Sequence, residues 1–131
     1  MRLVIDTSAI VAILFDEPEA EALLTVLDGA ERLFLSCVNL HEARLVLVRR
    51  LGPSGVSALE KLVLLNNIEL VVFDPDRTCD AFEAHMQFGK GRHPARLNLC
   101  DCAAYALAKS LDVPLLYKGD DFRLTDVASA L

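Results

Sequence analysis

Five carboxylates in this chain stand where an acid is out of place. Asp6 ends the apolar run Leu3-Val4-Ile5, and Glu42 shares a helical stripe with Val38, Leu45 and Val46. Asp101 is the only acid inside the strongly apolar segment 98–110, and Asp120 and Asp121 follow the apolar run 113–117. Acids are rarely buried unless they are paired or ligate something. If these converge without a counter-ion, they raise one another's pKa values and destabilise the fold by on the order of several kcal/mol. A hard divalent cation relieves that strain. An oxygen-only donor set with retained waters suits Mg²⁺ or Mn²⁺ and disfavours zinc. Such an ion would polarise a phosphodiester and activate a water for in-line attack. Each acid also has a duller explanation. Asp6 or Thr7 can cap a helix, Glu42 can reach water or pair with Arg49, Asn98 and Asp101 can form a capping box, and Gly119-Asp120-Asp121 can be a plain turn.

The elements that must position these acids alternate along the chain. Residues 3–5 read as a strand buried on both faces, handing over at Asp6 to a helix through residues 9–14. The carboxyl end of such a strand is where open α/β sheets place ligands. Residues 17–28 read as an amphipathic helix with Pro18 in its first turn and Gly29 as its stop. A strand follows at 33–36, then a helix at 38–51 with Asn39 near its start and Gly52-Pro53 as its stop. A second helix at 54–66 pairs with it as a hairpin. Residues 68–73 make a third strand closed by Asp74-Pro75, 76–88 a helix, 89–97 a loop, 98–110 a buried helix and 113–117 a fourth strand. From Lys118 a loop leads to a short last element. Strands alternating with helices predict a three-layer α/β/α fold around a central, mostly parallel sheet.

The 131 residues, 53% of them hydrophobic, suit one domain spanning 1–131. No apolar run approaches the ~20 residues of a membrane span. Asp6 also interrupts the apolar start that a signal peptide would need, so a cytoplasmic protein is expected. The four cysteines show no disulfide or zinc spacing and read as buried thiols. At a net charge of −6, any attraction to a polyanion must be local. The acid-free loop carrying Lys90, Arg92, His93 and Arg96 runs into Asp101 and either holds phosphates or is an ordinary solvated loop. With only 6% aromatic residues, base stacking has little to work with. His41-Glu42 begins a zinc-protease motif, but Leu45 stands in the second histidine's place. Phosphate-loop, dinucleotide and serine-hydrolase motifs are absent. Ser8 stands where aspartyl phosphotransferases carry a second Asp. Two other classes stay open: a non-catalytic binding module, and a phosphoacceptor signalling domain built on the acids and Lys118.

Four blocks carry a resemblance. They are Asp6-Thr7-Ser8-Ala9 after an apolar strand; Asn39-Leu40-His41-Glu42-Ala43; residues 92–102 followed by Ala103-Ala104-Tyr105-Ala106-Leu107-Ala108; and residues 115–122 with Thr125-Asp126. Over nearly its whole length the chain resembles PIN-domain ribonucleases, especially the VapC toxins of prokaryotic toxin–antitoxin pairs. The resemblance implies a PIN-like fold, with Asp6 and Asp101 as principal ligands of Mg²⁺ (Mn²⁺ as substitute) and Glu42 and Asp121 completing the site. Two residues depart from the pattern. Cys100 replaces a usual Gly, and Gly119 stands where many PIN domains carry their fourth acid, so that role moves to Asp120 or Asp121, with Asp121 preferred. The resemblance also implies endonucleolytic cleavage of RNA, a homodimer and neutralisation by a small VapB-like antitoxin. On the substrate side the candidates are Thr7, Ser8, Lys90, Arg92, Arg96 and Lys118.

Overall fold

Strand β1 (Arg2–Ile5) lies inside the sheet, and Leu3, Val4 and Ile5 are fully buried. Its side chains alternate between two cores. Leu3 and Ile5 pack with α1 (Thr7–Leu14), α2 (Ala20–Gly29), α3 (Cys37–Leu51) and α4 (Pro53–Leu65). Val4 packs with α5 (Pro75–Phe88) and α6 (Leu99–Leu111) on the other side. The remaining strands are β2 (Arg32–Ser36), β3 (Glu69–Val71) and β4 (Leu115–Leu116). Their order is β3-β2-β1-β4 and every pairing is parallel, with Val4 opposite both Phe34 and Leu115. This computed structural model describes all 131 residues and is the three-layer α/β/α architecture expected. Because all four strands run the same way, their carboxyl ends share one edge, where the chain emerges at Asp6, Ser36 and Tyr117.

Several element boundaries differ from expectation. The second helix begins at Ala20 rather than 17, and Pro18 lies outside it. Asp16 adopts a left-handed backbone and Glu17 N–H donates to the Ala12 carbonyl at 2.9 Å, so residues 15–19 are a turn. Strands β3 and β4 are shorter than the apolar runs around them. In β3, Glu69 and Leu70 are exposed and pair only with β2. The tail after Lys118 forms no helix or strand. It is tied to β4 by a bridge in which Leu115 N–H donates to Ala128 and Ala130 N–H donates to Leu115, both at 2.9 Å. The cysteines are free, but only Cys102 is buried and Cys79 is exposed. No helix is long and apolar enough to cross a membrane.

Candidate active site

Asp6 follows β1 directly and caps α1. Its Oδ2 accepts from Ser8 N at 3.0 Å and from Ser8 Oγ at 2.6 Å. Ser8 Oγ in turn accepts from Lys118 N at 3.0 Å, which ties the end of β4 to the same carboxylate. Asp6 is only 4% exposed, and its Oδ1 is buried with no partner. Burial pushes its pKa up to about 6; the Ser8 hydrogen bonds oppose this, and the charges of Glu42 and Asp121 add to it.

Asp101 enters from the far end of the sequence. Asn98 Oδ1 accepts from Asp101 N at 2.8 Å, and Asp101 Oδ2 accepts from Asn98 N at 3.0 Å, a complete capping box. Capping does not take Asp101 away from the other acids, since only its Oδ2 is used by Asn98 N. At 8% exposure its pKa rises to about 7, through burial first and then through Asp6, Asp121 and Glu42, against the Asn98 bond. Asp6 and Asp101 each feel Glu42 and Asp121, so acids from four separate stretches share one electrostatic neighbourhood. Cys100, beside Glu42, has its thiol pushed up to about 12 by burial and by these acids.

Beside Asp101 and Asp121 the surface is concave. A cleft of about 470 Å³ is lined by Lys90, Arg96, Asn98, Asp101, Asp120 and Asp121, among others. It shares Lys90, Pro94 and Arg96 with a concavity of about 540 Å³ that also takes in Arg92 and His93. Arg96 has a left-handed backbone, an uncommon conformation for a residue with a side chain and one that concentrates at functional sites. No three of the His, Cys, Asp and Glu side chains come together as a group that could hold a metal ion by themselves. An open set of hard oxygens remains, with one buried carboxylate oxygen unpartnered. That suits a cation held by one or two carboxylates and completed by water and phosphate oxygens.

The PIN domain family model matches residues 3–128. A ribonuclease VapC of Mycolicibacterium smegmatis is 44% identical over 127 residues, covering 97% of this chain and 98% of that protein. The chain belongs to the PIN-domain family, among the VapC ribonucleases. Solved structures agree on the fold. The Mycobacterium tuberculosis toxin VapC20, described as cleaving the sarcin–ricin loop, superposes with a TM-score of 0.79 at 18% identity over 96% of both chains. VapBC2 from Rickettsia felis, bound to a DNA fragment of its promoter, superposes with a TM-score of 0.72 at 15% identity over 98% of this chain and 96% of that one.

Several candidate positions of this VapC chain are otherwise engaged. Thr7 is buried, its hydroxyl donating to the Asn39 carbonyl at 3.2 Å, so it is an internal linker and does not face a substrate. Lys118 Nζ is bound by Glu17 at 2.6 Å and Glu19 at 3.3 Å, which removes it from the acid cluster. Asp120 lines the cleft rim but pairs with Arg123 at 2.9 Å, and Asp121 is the one of the two felt by Asp6 and Asp101. Gly119 has φ +97°, a conformation that favours glycine over any residue with a side chain. Arg92 Nε donates to the Met86 carbonyl at 3.2 Å, and His93 Nδ1 accepts from Ala95 N at 3.0 Å.

The stripe proposed for Glu42 is also corrected. Leu45 is 48% exposed, and the buried face of α3 carries Asn39, Leu40, Ala43 and Leu47. Glu42 flanks that face, half-buried, and forms no ion pair with Arg49. The residue missed in the sequence is Asn39. Ser36, not Asn39, caps α3, and Asn39 is completely buried. Its signal was the spacing 39, 43, 47, which puts an amide on the core face of the helix.

Proposed function

We propose that this chain is a Mg²⁺-dependent endoribonuclease, the toxin of a VapBC-type pair, with residues 1–131 acting as one nuclease domain on cytoplasmic RNA. The observation that carries this reading is the pair Asp6 and Asp101. Two acids 95 positions apart in the chain are buried in one neighbourhood, each raised by the other's cluster, with Asp6 Oδ1 unpartnered. Asp6 and Asp101 would hold the ion, with Glu42 and Asp121 completing the acidic set; Mn²⁺ would substitute. When bound, the ion supplies Lewis-acid polarisation of the scissile phosphate and neutralises charge developing on its oxygens. The chain's own groups do the rest. Lys90 and Arg96 hold flanking phosphates in the concavity they share with Arg92. Glu42 and Asp121 orient the attacking water by accepting its hydrogen bonds, one of them taking the single proton it loses while the departing oxygen is protonated from solvent. Ser8 Oγ keeps Asp6 Oδ2 fixed, so that Oδ1 is the free donor. Water oxygen bonds to phosphorus as the P–O bond to the leaving nucleotide breaks.

A phosphoacceptor role is disfavoured because Lys118, the lysine that directly follows the end of β4, is sequestered by Glu17 and Glu19. The partners are RNA, a second copy of the chain and a small VapB-like antitoxin. The antitoxin is supported by the toxin–antitoxin assemblies among the structural relatives. Apolar side chains left exposed on α3 (Leu45, Val48, Leu51) and α4 (Leu64, Leu65) offer partners surface to cover.

The test is incubation of the purified chain with RNA. Cleavage is expected with Mg²⁺ or Mn²⁺, none in EDTA, and suppression by the co-purified antitoxin. No metal-dependent cleavage of any RNA, or a stable acyl-phosphate formed from a phosphodonor, would overturn the reading. Arg96→Ala and Lys90→Ala should each raise KM with little change in kcat. Each should also flatten the log–log dependence of RNA affinity on salt by about 0.7 for one lost phosphate contact on single-stranded RNA. An unchanged slope in both variants would take the basic loop out of the binding surface.

A further inference from the structure

One amide links the three elements that carry the buried acids and Glu42. Asn39, on α3 three residues before Glu42, donates from Nδ2 to Thr7 Oγ1 and to the Cys100 carbonyl, both at 3.2 Å. Thr7 Oγ1 returns a hydrogen bond to the Asn39 carbonyl at 3.2 Å. Thr7 directly follows Asp6, and Cys100 directly precedes Asp101. The two donations therefore grip the backbone next door to both acids from a point on the helix that carries Glu42. Asn39 is completely buried, yet its Oδ1 has no partner. A buried side chain that leaves an acceptor unmet is a poor choice for stability alone, since an apolar residue of the same shape would avoid that desolvation.

We infer that Asn39 is a positioning residue that fixes the separation of Asp6 and Asp101, and with it the affinity of the acidic site for a divalent cation; this rests on the metal-dependent function proposed above. It touches neither the reacting phosphate nor the ion and acts through the two chain segments it holds together. Groups that orient metal ligands from behind typically change metal affinity or activity by about 10–100-fold when removed.

Asn39→Leu keeps the branching at Cγ, adds some bulk at a fully buried position and removes both donations. Thr7→Val removes one acceptor from the same link, and combining the two replaces a polar pair by an apolar one, which packing can tolerate. The full chain carrying each change is titrated with Mn²⁺, read by electron paramagnetic resonance of the free ion, alongside thermal unfolding and steady-state cleavage. Expected are a folded protein, Mn²⁺ affinity weakened about tenfold or more, and kcat lowered with KM for RNA nearly unchanged. Leu47→Ala, a core truncation on the same helix face, should lower the unfolding temperature without moving Mn²⁺ affinity. Should Asn39→Leu fail to fold, Thr7→Val gives the same readout with a smaller perturbation. Wild-type Mn²⁺ affinity and kcat in a folded Asn39→Leu or Thr7→Val protein would overturn the inference while leaving the nuclease reading intact. Absence of Mn²⁺ binding by the wild-type chain would instead overturn that reading.

Discussion

Asp101→Asn should give a folded protein whose RNA cleavage falls by on the order of 10³-fold, the scale of losing a preorganised group matched to charge in the transition state. The substitution is nearly isosteric, and the new Oδ1 can still accept from Asn98 N as Asp101 Oδ2 does at 3.0 Å, so the capping box survives. What is lost is one negative charge in a buried cluster. That charge is costly to the fold, so the variant should unfold at a higher temperature than the wild type in metal-free buffer at pH 8. Asp6→Asn should behave alike, since Oδ1 of the amide can still accept from the Ser8 donors that now bind Oδ2. Activity and stability moving in opposite directions is the signature of a functional acid, because a purely structural carboxylate would lose both. Asp120→Asn should stay within a few-fold of wild type, since Asp120 is spent on an exposed pair with Arg123. Asp121→Asn should be distinctly worse than Asp120→Asn. The check is initial cleavage rate on a fluorogenic RNA beside thermal unfolding of the same preparations. Full activity in both Asp6→Asn and Asp101→Asn would remove these residues from the site.

The acids could be singled out in the sequence because burial and charge conflict, and that conflict shows in a single chain. Asp6 after three apolar residues and Asp101 inside an all-apolar helix each break a local pattern, and both are buried in the fold. The parallel sheet was legible for a related reason: fully buried strands read as unbroken apolar runs. Less legible was what hydrogen bonds between distant segments decide. That Lys118 belongs to Glu17 and Glu19 depends on how the turn at 15–19 packs beside β4, and no spacing announces it. Glu42 was found through the wrong stripe. Apolar residues surround α3 on several sides, so Val38, Leu45 and Val46 looked like its buried face, while the 39–43–47 line held the core contacts. Strand ends were overestimated because apolar residues continue past the last ladder bond; in β4 only Leu115 and Leu116 pair with β1.

In metal-free buffer the stability of this protein should fall as pH rises from about 4 to about 7, and added Mg²⁺ should recover more of it at pH 8 than at pH 5. The sign follows from the two buried acids. An unfolded Asp titrates near 3.8, whereas folded Asp6 and Asp101 titrate at about 6 and about 7. Across that window the folded chain keeps protons that the unfolded chain has released, so each further rise in pH favours unfolding until both acids are ionised. Each pH unit of separation is worth about 1.4 kcal/mol, so separations of about 2 and about 3 pH units bound the total change at roughly 7 kcal/mol across the window. Asp126 works in the opposite sense, held below the usual carboxylate range by the Tyr105 hydroxyl at 2.5 Å. Its contribution is lost only below pH 4, and its exposed side chain gives it little weight. Mg²⁺ binds only the ionised carboxylates, so at pH 5 it must compete with protons, while at pH 8 it meets two strained charges already formed. Its stabilisation, RT ln(1 + [Mg²⁺]/Kd), therefore grows with pH as Kd falls. The measurement is thermal unfolding in EDTA and in Mg²⁺ across pH 4 to 8 for wild type and the Asp6→Asn/Asp101→Asn pair. In that pair both the metal-free slope and the Mg²⁺ effect should flatten together, because one set of carboxylates causes both. A Mg²⁺ effect equal at pH 5 and pH 8, or one surviving in the double variant, would mean the ion binds somewhere other than this cluster.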